Sequence, residues 1–305
     1  MKREGYLMER IADPDNLRLA FWKARKGKNY NDEVKHYRFR LDANLAELRR
    51  ELLAGDVPVG DYRYFHIYDP KERMICAAAF RERVLHHAVM IVCHPVFERF
   101  QTDDSYASRI GKGQYAALEK AKTHTRHYRW FCKLDVRKFF DSIDHETLYG
   151  LLSRRFKDPA LLGLFRRIID SYRTAPGCGL PIGNLTSQHF ANYYMAYADH
   201  HVREALHAPA YVRYMDDMVL WHDDKTELLR ITAGLTSFIG ERLRLTLKPP
   251  CINNTDKGVP FLGYVLFPGR VRLNRNSKKR FRCKMNSYDI KLDTGEWSQA
   301  RYALH

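Results

Sequence analysis

No stretch of this 305-residue chain stays apolar long enough to cross a bilayer. The nearest candidate, around Ala88–Cys93, stops at His94-Pro95, well short of the ~20 residues that a spanning helix needs. The opening residues, MKREGYLMER, have no apolar signal core, so the expected location is cytoplasmic and no membrane partner is expected. Cysteine is sparse and scattered, at positions 76, 93, 132, 178, 251 and 283, with no Cys-x-x-Cys. That spacing speaks for free thiols in a reducing compartment and against disulfides or zinc. The histidine motifs His124-x-x-His127, His86-His87 and His200-His201 have no Cys or carboxylate at metal-ligand spacing. Repeats, low-complexity tracts and Pro/Ser linkers are all lacking. Negative charge is also in short supply: 36 Asp and Glu stand against 52 Lys and Arg, a net charge of +16. An excess of that sign favours a polyanionic partner, either nucleic acid or an acidic membrane surface, and charge alone does not choose between them.

With 45% hydrophobic residues the chain can bury a substantial core, and its length suits two lobes about a cleft. Periodicity predicts helices over 14–55, with a basic cluster at Lys23, Arg25, Lys26 and Lys28 between two pieces. Tyr62–Tyr68 is aromatic and β-prone, Asp69–Arg73 a turn, and Met74–Phe80 a returning strand. Further helices are expected over 81–100, 145–172, 187–207 and 225–245. Strands are expected over 130–136 and 261–267, and a pair about a tight turn over 210–221. Helices interleaved with hairpins make an α+β plan rather than a strict βαβ repeat.

Adjacent aspartates occur at Asp103-Asp104, Asp216-Asp217 and Asp223-Asp224, and a solvated turn is the ordinary explanation for each. Only the middle pair lies between strand-forming segments, Tyr211–Met215 before and Met218–Trp221 after. Two carboxylates at the tip of a half-buried hairpin repel one another and resist burial, which points to a divalent cation. Asp135, ending the apolar strand Trp130–Leu134, has the same setting. Phosphoryl transfer to a hydroxyl uses two metal ions about 4 Å apart, and magnesium takes carboxylate, phosphate and water oxygens.

Tyr214-Met215-Asp216-Asp217 resembles the Tyr-x-Asp-Asp box of reverse transcriptases, and Leu134–Phe140 resembles their first catalytic-aspartate motif. Other motifs follow in family order. Phe65–Arg73 is similar to the fingers hairpin, Ser105–Gly113 to the next fingers motif, Leu243–Lys248 to a later palm motif and Phe261–Tyr264 to the primer grip. The resemblance implies a right-hand polymerase fold: an N-terminal helical extension (1–60), fingers (61–130), palm (131–268) and a short basic thumb (269–305). It implies that Asp135, Asp216 and Asp217 are catalytic. Two Mg²⁺ ions, for which Mn²⁺ can substitute, would be held by Asp135, Asp216 and the Val136 carbonyl. Lys71 and Arg73 would meet the triphosphate, and Phe140 would exclude a 2′-hydroxyl, although one ring of Phe139-Phe140 is expected to be plain core. Template and primer would meet Arg109, Lys112, Tyr214, Met215, Lys248, Phe261, Leu262, Gly263, Tyr264, Lys278, Lys279 and Arg280.

The segment Gly179–Gln188 departs from many reverse transcriptases, holding Ile182 where they have Gln and Gln188 where they have Pro. This version is similar to the bacterial or phage-encoded reverse transcriptases of diversity-generating retroelements, which miscopy template adenines. Ile182 can only pack against a nucleotide where Gln would hydrogen-bond, and fewer polar checks mean weaker discrimination. The resemblance also implies dNTPs, a template RNA with its cDNA/RNA heteroduplex, and a small helical accessory protein as partners. Residues after Tyr264 suffice for a short thumb and leave no room for endonuclease, RNase H or maturase regions. A phage-defence reverse transcriptase and a non-catalytic RNA-binding scaffold remain the alternatives. The glycines of Gly111-Lys112-Gly113 and Gly177-Cys178-Gly179 match neither a phosphate loop nor a dinucleotide fingerprint.

Overall fold

The computed structural model describes residues 3–68 and 72–304, and most element boundaries have a visible local cause. Four helices come first: α1 (Met8–Ile11), α2 (Pro14–Arg25), α3 (Asp32–Phe39) and α4 (Leu41–Ala54). Asp13 caps α2 by accepting from the Asp15 and Asn16 N–H groups, with Pro14 in the first turn, where its missing donor costs nothing. The α4 helix stops at Gly55, whose φ of 77° supplies the left-handed residue that ends many helices. Strands β1 (Tyr62–Ile67) and β2 (Arg73–Ala78) form an antiparallel hairpin, in register from Tyr62↔Ala78 to Ile67↔Arg73. Lys71 lies outside the described residues.

Next come α5 (Phe80–Glu98), α6 (Gln114–His127), β3 (Trp130–Asp135), α7 (Phe139–Ser142), α8 (His145–Ser153) and α9 (Pro159–Asp170). The single helix expected over 145–172 is broken. Asp158 caps a fresh helix with Pro159 at its first position, and its other oxygen accepts from the Leu7 and Met8 N–H groups at 2.8 and 3.0 Å. α10 (Leu185–His200) runs into a π-helical turn over His201–Ala205. The rest are β4 (Ala210–Tyr214), β5 (Asp217–His222), α11 (Lys225–Leu243), β6 (Cys251–Asn254), β7 (Val259–Phe261), β8 (Tyr264–Phe267), β9 (Arg270–Leu273), α12 (Arg275–Asp293) and α13 (Gln299–Ala303). The strand expected over 261–267 is a hairpin instead. Phe261 pairs with Tyr264 about a two-residue turn, where Leu262 (φ 45°) and Gly263 (φ 85°) are both left-handed. Leucine is an unusual occupant of that position, so the turn carries little sequence signal.

The central sheet has the order β4-β5-β3-β6, with every neighbouring pair antiparallel. Alternate side chains feed two cores, as the period-2 geometry of strands requires. Cys132, Leu134, Tyr211, Met218 and Leu220 join the large core with α5, α8, α9, α10 and α11. Phe131, Val212, Val219 and Trp221 join a second core with α6 and the β7-β8-β9 sheet. A sheet covered on both faces tolerates charge best at its strand ends, and that is where the aspartates lie.

The β1–β2 hairpin is tied to the segment before α10 at one crossing. The Cys76 N–H donates to the Ile182 carbonyl at 2.8 Å. Gly183 beside it has φ +127°, and a Cβ there would sit 2.8 Å from the Cys76 carbonyl oxygen. Both the backbone region and the space demand glycine. Gly183→Ala is therefore expected to lower unfolding free energy by about 1–3 kcal/mol, read by urea denaturation. An unchanged midpoint would mean the crossing is looser than described.

Candidate active site at the β3 and β4–β5 strand ends

Register brings the three aspartates together. Asp135, the last residue of β3, pairs with Asp217, the first of β5. Asp217 also pairs with Tyr214 across the β4–β5 turn, so Met215 and Asp216 form its two-residue tip. Met215 has φ 55°, a left-handed conformation that costs a non-glycine residue about 1–2 kcal/mol.

Burial is the largest influence on the Asp216 and Asp217 carboxyls. It pushes Asp217 up to about 6, with the neighbouring Asp216 and Asp135 charges adding to the rise and the Lys133 ammonium opposing it. Asp216 is also raised by burial and by Asp135, while Lys248 and Arg73 pull it back down. Lys133 Nζ lies 3.2 Å from both Asp217 oxygens. Lys248 Nζ lies 2.5 Å from Asp135 Oδ1, and its backbone N–H donates to the Asp135 carbonyl at 2.9 Å. Cationic side chains thus partly neutralise a cluster whose members repel.

The donor set fits a divalent cation. Oδ1 of Asp135 and Oδ1 of Asp217 are shut off from solvent and, among the described residues, lack a hydrogen bond of proper geometry, each with a lysine ammonium at ion-pair distance. Among the described residues, no three such side chains already converge on one point as a cage. Magnesium needs none, because it keeps several waters and binds through one or two carboxylates plus substrate phosphates. Val136 is buried and bridges Leu247 at the same strand end.

The other expected site residues divide by location. Arg73 begins β2, and its charge reaches Asp216. Phe139 is buried in the large core, whereas Phe140 is partly buried against it. The Phe140 carbonyl accepts from the Leu180 N–H at 2.8 Å. Ile182 is partly buried and Gln188 exposed, flanking the α10 start. Arg109 is committed to its own loop, with Nε 2.8 Å from Glu98 and NH1 donating to the Ser105 carbonyl at 2.9 Å. Lys112 donates to the Asp103 carbonyl at 2.7 Å and lies 5.1 Å from the Tyr106 ring centre. Phe261 is buried, and Leu262, Gly263 and Tyr264 are partly exposed. The Asn274 N–H donates to the Gly263 carbonyl at 3.0 Å, joining that turn to the start of α12. Lys278, Lys279 and Arg280 lie on α12, a helix that buries none of its residues. Of the other aspartate pairs, Asp104 is not a solvated turn residue: it is buried and held by Arg203 through two contacts of 2.5 Å.

Sequence reading misses Lys133 and Arg213. Each is a charge inside an otherwise apolar strand, Phe131-Cys132-Lys133-Leu134 and Tyr211-Val212-Arg213-Tyr214, and that misplacement is the available signal.

Carboxylates at adjacent antiparallel strand ends, on a helix-backed sheet with a fingers-like hairpin alongside, are the arrangement of a right-hand polymerase palm. The chain belongs to the reverse transcriptase family: the family model described as "Reverse transcriptase (RNA-dependent DNA polymerase)" matches residues 69–266, well over half of it. It is 24% identical over 215 residues to the Group II intron-encoded protein LtrA of Lactococcus lactis subsp. cremoris, covering 64% of this chain and 35% of that protein. It is also 24% identical over 290 residues to Protein YkfC of Escherichia coli (strain K12), covering 76% of this chain and 74% of YkfC. The chain thus spans about a third of the intron-encoded relative's length. Apo telomerase from Candida tropicalis shares the fold with a TM-score of 0.52 at 11% identity, over 72% of this chain and 50% of that one. Among the described residues, no helix is long and apolar enough to cross a membrane.

The raised Asp217 carboxyl has a stability consequence. Its ordinary value is 3.8 and its folded value about 6, so between those pH values the folded chain binds more protons than the unfolded one. Stability contributed by this group therefore falls as pH rises from about 4 to about 6 and stays low above that. Asp217→Asn is expected to stabilise the metal-free protein at pH 7.5 by about 1–3 kcal/mol and to have little effect at pH 4. Thermal unfolding in chelator at the two pH values checks this; equal effects at both would contradict the buried-carboxylate account.

Proposed function

We propose that this protein is an RNA-directed DNA polymerase that copies a template RNA into cDNA by two-metal nucleotidyl transfer. The observation that carries the reading is the Asp135↔Asp217 register with Asp216 beside it at the turn. When bound, two magnesium ions would activate the primer hydroxyl and stabilise the leaving pyrophosphate. Asp135, Asp216 and Asp217 would hold them, joined by the Val136 carbonyl. Lys133 and Lys248, which lie on the carboxylates in this structure, would no longer be needed to neutralise them with the ions bound. Arg73, at the start of β2, and Lys71 would meet the triphosphate. Phe140, buttressed edge-to-face by Phe139 at 5.5 Å, presents an apolar wall that disfavours a 2′-hydroxyl. Residues 61–130 are proposed as fingers, 131–268 as palm and 269–305 as thumb. In that scheme Tyr214, Met215 and Phe261–Tyr264 seat the primer end, while Lys278, Lys279 and Arg280 grip backbone phosphates. Primer extension on an RNA template with Mg²⁺ and four dNTPs is expected to give DNA, with Asp216→Ala lowering the rate by a factor on the order of a thousand. No synthesis, with RNA still bound tightly, would favour a scaffold.

Within that activity we propose error-prone copying of template adenines, as in a diversity-generating retroelement, with a small helical accessory protein assisting. Ile182 supports this. Its carbonyl accepts from the Cys76 N–H, and its side chain has no polar atom with which to check a nucleotide. Ile182→Gln is expected to reduce misincorporation opposite adenine severalfold in sequenced products. An unchanged error spectrum would remove the adenine-mutagenic reading and favour a defence role.

A further inference from the structure

Arg213 is fully buried, as is the side chain of its partner Asp199. Such an ion pair is weak support for stability in itself, because apolar residues of similar size often do as well. What the guanidinium reaches is therefore the informative part. Nε and NH2 clasp Asp199 at 2.7 and 2.6 Å. NH1 donates to Asn192 Oδ1 at 2.8 Å and to the Met215 carbonyl at 3.0 Å. NH2 also donates to Ser105 Oγ at 3.0 Å.

One side chain thus joins three parts of the chain: helix α10 through Asp199 and Asn192, the loop before α6 through Ser105, and the catalytic turn through Met215. The backbone doubles the loop connection, with the Arg213 N–H donating to the Asp104 carbonyl at 2.8 Å and the Tyr106 N–H donating to the Arg213 carbonyl at 3.0 Å. The loop is itself fixed by the Asp104–Arg203 clasp. The Met215 contact falls where the chain most needs holding, at the left-handed residue next to Asp216. A two-residue hairpin turn asks for positive φ at this position, but a methionine there bears a steric cost that glycine would not; a fixed donor aimed at the Met215 carbonyl helps to offset it.

We propose that Arg213 is a positioning residue for catalysis. Anchored by Asp199, it holds the Met215 carbonyl so that Asp216 points into the metal site, and it couples the turn to the loop before α6. This inference rests on the polymerase reading for its rate consequences, but not for its effect on the turn.

Two variants separate positioning from folding. Arg213→Met/Asp199→Asn removes both charges together while leaving Tyr211, whose hydroxyl donates to Asp199 Oδ1 at 2.9 Å, an acceptor. Arg213→Lys keeps the charge beside Asp199 but loses the planar fork, whose Nε and NH2 hold Asp199 while NH1 reaches the Met215 carbonyl. Both are expected to fold, with thermal midpoints well above that of Arg213→Met alone. In single-turnover incorporation the maximal rate is expected to fall at least tenfold in each, with primer–template affinity within threefold of wild type. Hydrogen exchange at the β4–β5 tip is expected to speed at least tenfold, with β3 unaffected. A folded variant that keeps both the rate and the tip protection overturns the proposal. So does failure of both to fold, which would make the cluster a stability element only. If the wild-type enzyme makes no DNA, the polymerase reading fails, and tip exchange alone then decides the positioning claim.

Discussion

Three carboxylates brought close together where water is scarce are the constraint on which this structure turns. Isolated in water, each would ionise readily; at the strand ends, burial and mutual repulsion raise the proton affinity of Asp216 and Asp217. The surroundings answer with positive charge. Lys133 faces Asp217 from within the same strand pair, and Lys248 reaches Asp135 from the segment that bridges Val136. Neither lysine saturates its carboxylate, so the site keeps an unmet demand for cations. Divalent cations of the kind that phosphoryl transfer uses would meet that demand.

The rest of the fold serves to hold this arrangement rigid. The sheet is packed on both faces, so its strands cannot slip by one residue without exchanging two complete sets of core side chains. That locks Asp135 opposite Asp217. Behind the turn, the Arg213–Asp199 pair ties the left-handed Met215 to α10 and to the loop before α6. Beside it, the Cys76–Ile182 hydrogen bond and the tight Gly183 crossing fix the β1–β2 hairpin against the start of α10. The candidate site residues thus sit on elements whose mutual positions are set by buried contacts.

Much of this is legible in the sequence, for identifiable reasons. The 210–221 hairpin stands out because two apolar runs flank a charged pair, and the strands do pair antiparallel there, with the turn one residue earlier, at Met215-Asp216. The aspartate trio is likewise visible as charge where charge is costly. Other features are masked. The β7–β8 turn reads as continuous strand because leucine occupies a left-handed position normally given to Asn or Gly. The break before α9 is written in Asp158-Pro159 but overridden by the apolar period on either side. The Arg213 cluster cannot be assembled from the sequence, since Ser105 lies 108 positions from the guanidinium it meets. Asp104, expected to be solvated, is buried for the same reason: its partner Arg203 is 99 positions away.

The proposed function puts the carboxylate trio at the centre of the protein's chemistry, and its affinity for divalent cations is the most direct thing to measure. Mn²⁺ would be titrated calorimetrically into the metal-free protein, in two buffers of different ionisation enthalpy, at pH 6 and at pH 8. With the Asp217 carboxyl near 6, binding is expected to release a substantial fraction of a proton at pH 6 and almost none at pH 8. Saturable binding with that pattern would tie the metal to the buried aspartates. No binding, or binding without proton release at pH 6, would contradict the claim that these carboxylates form the cation site.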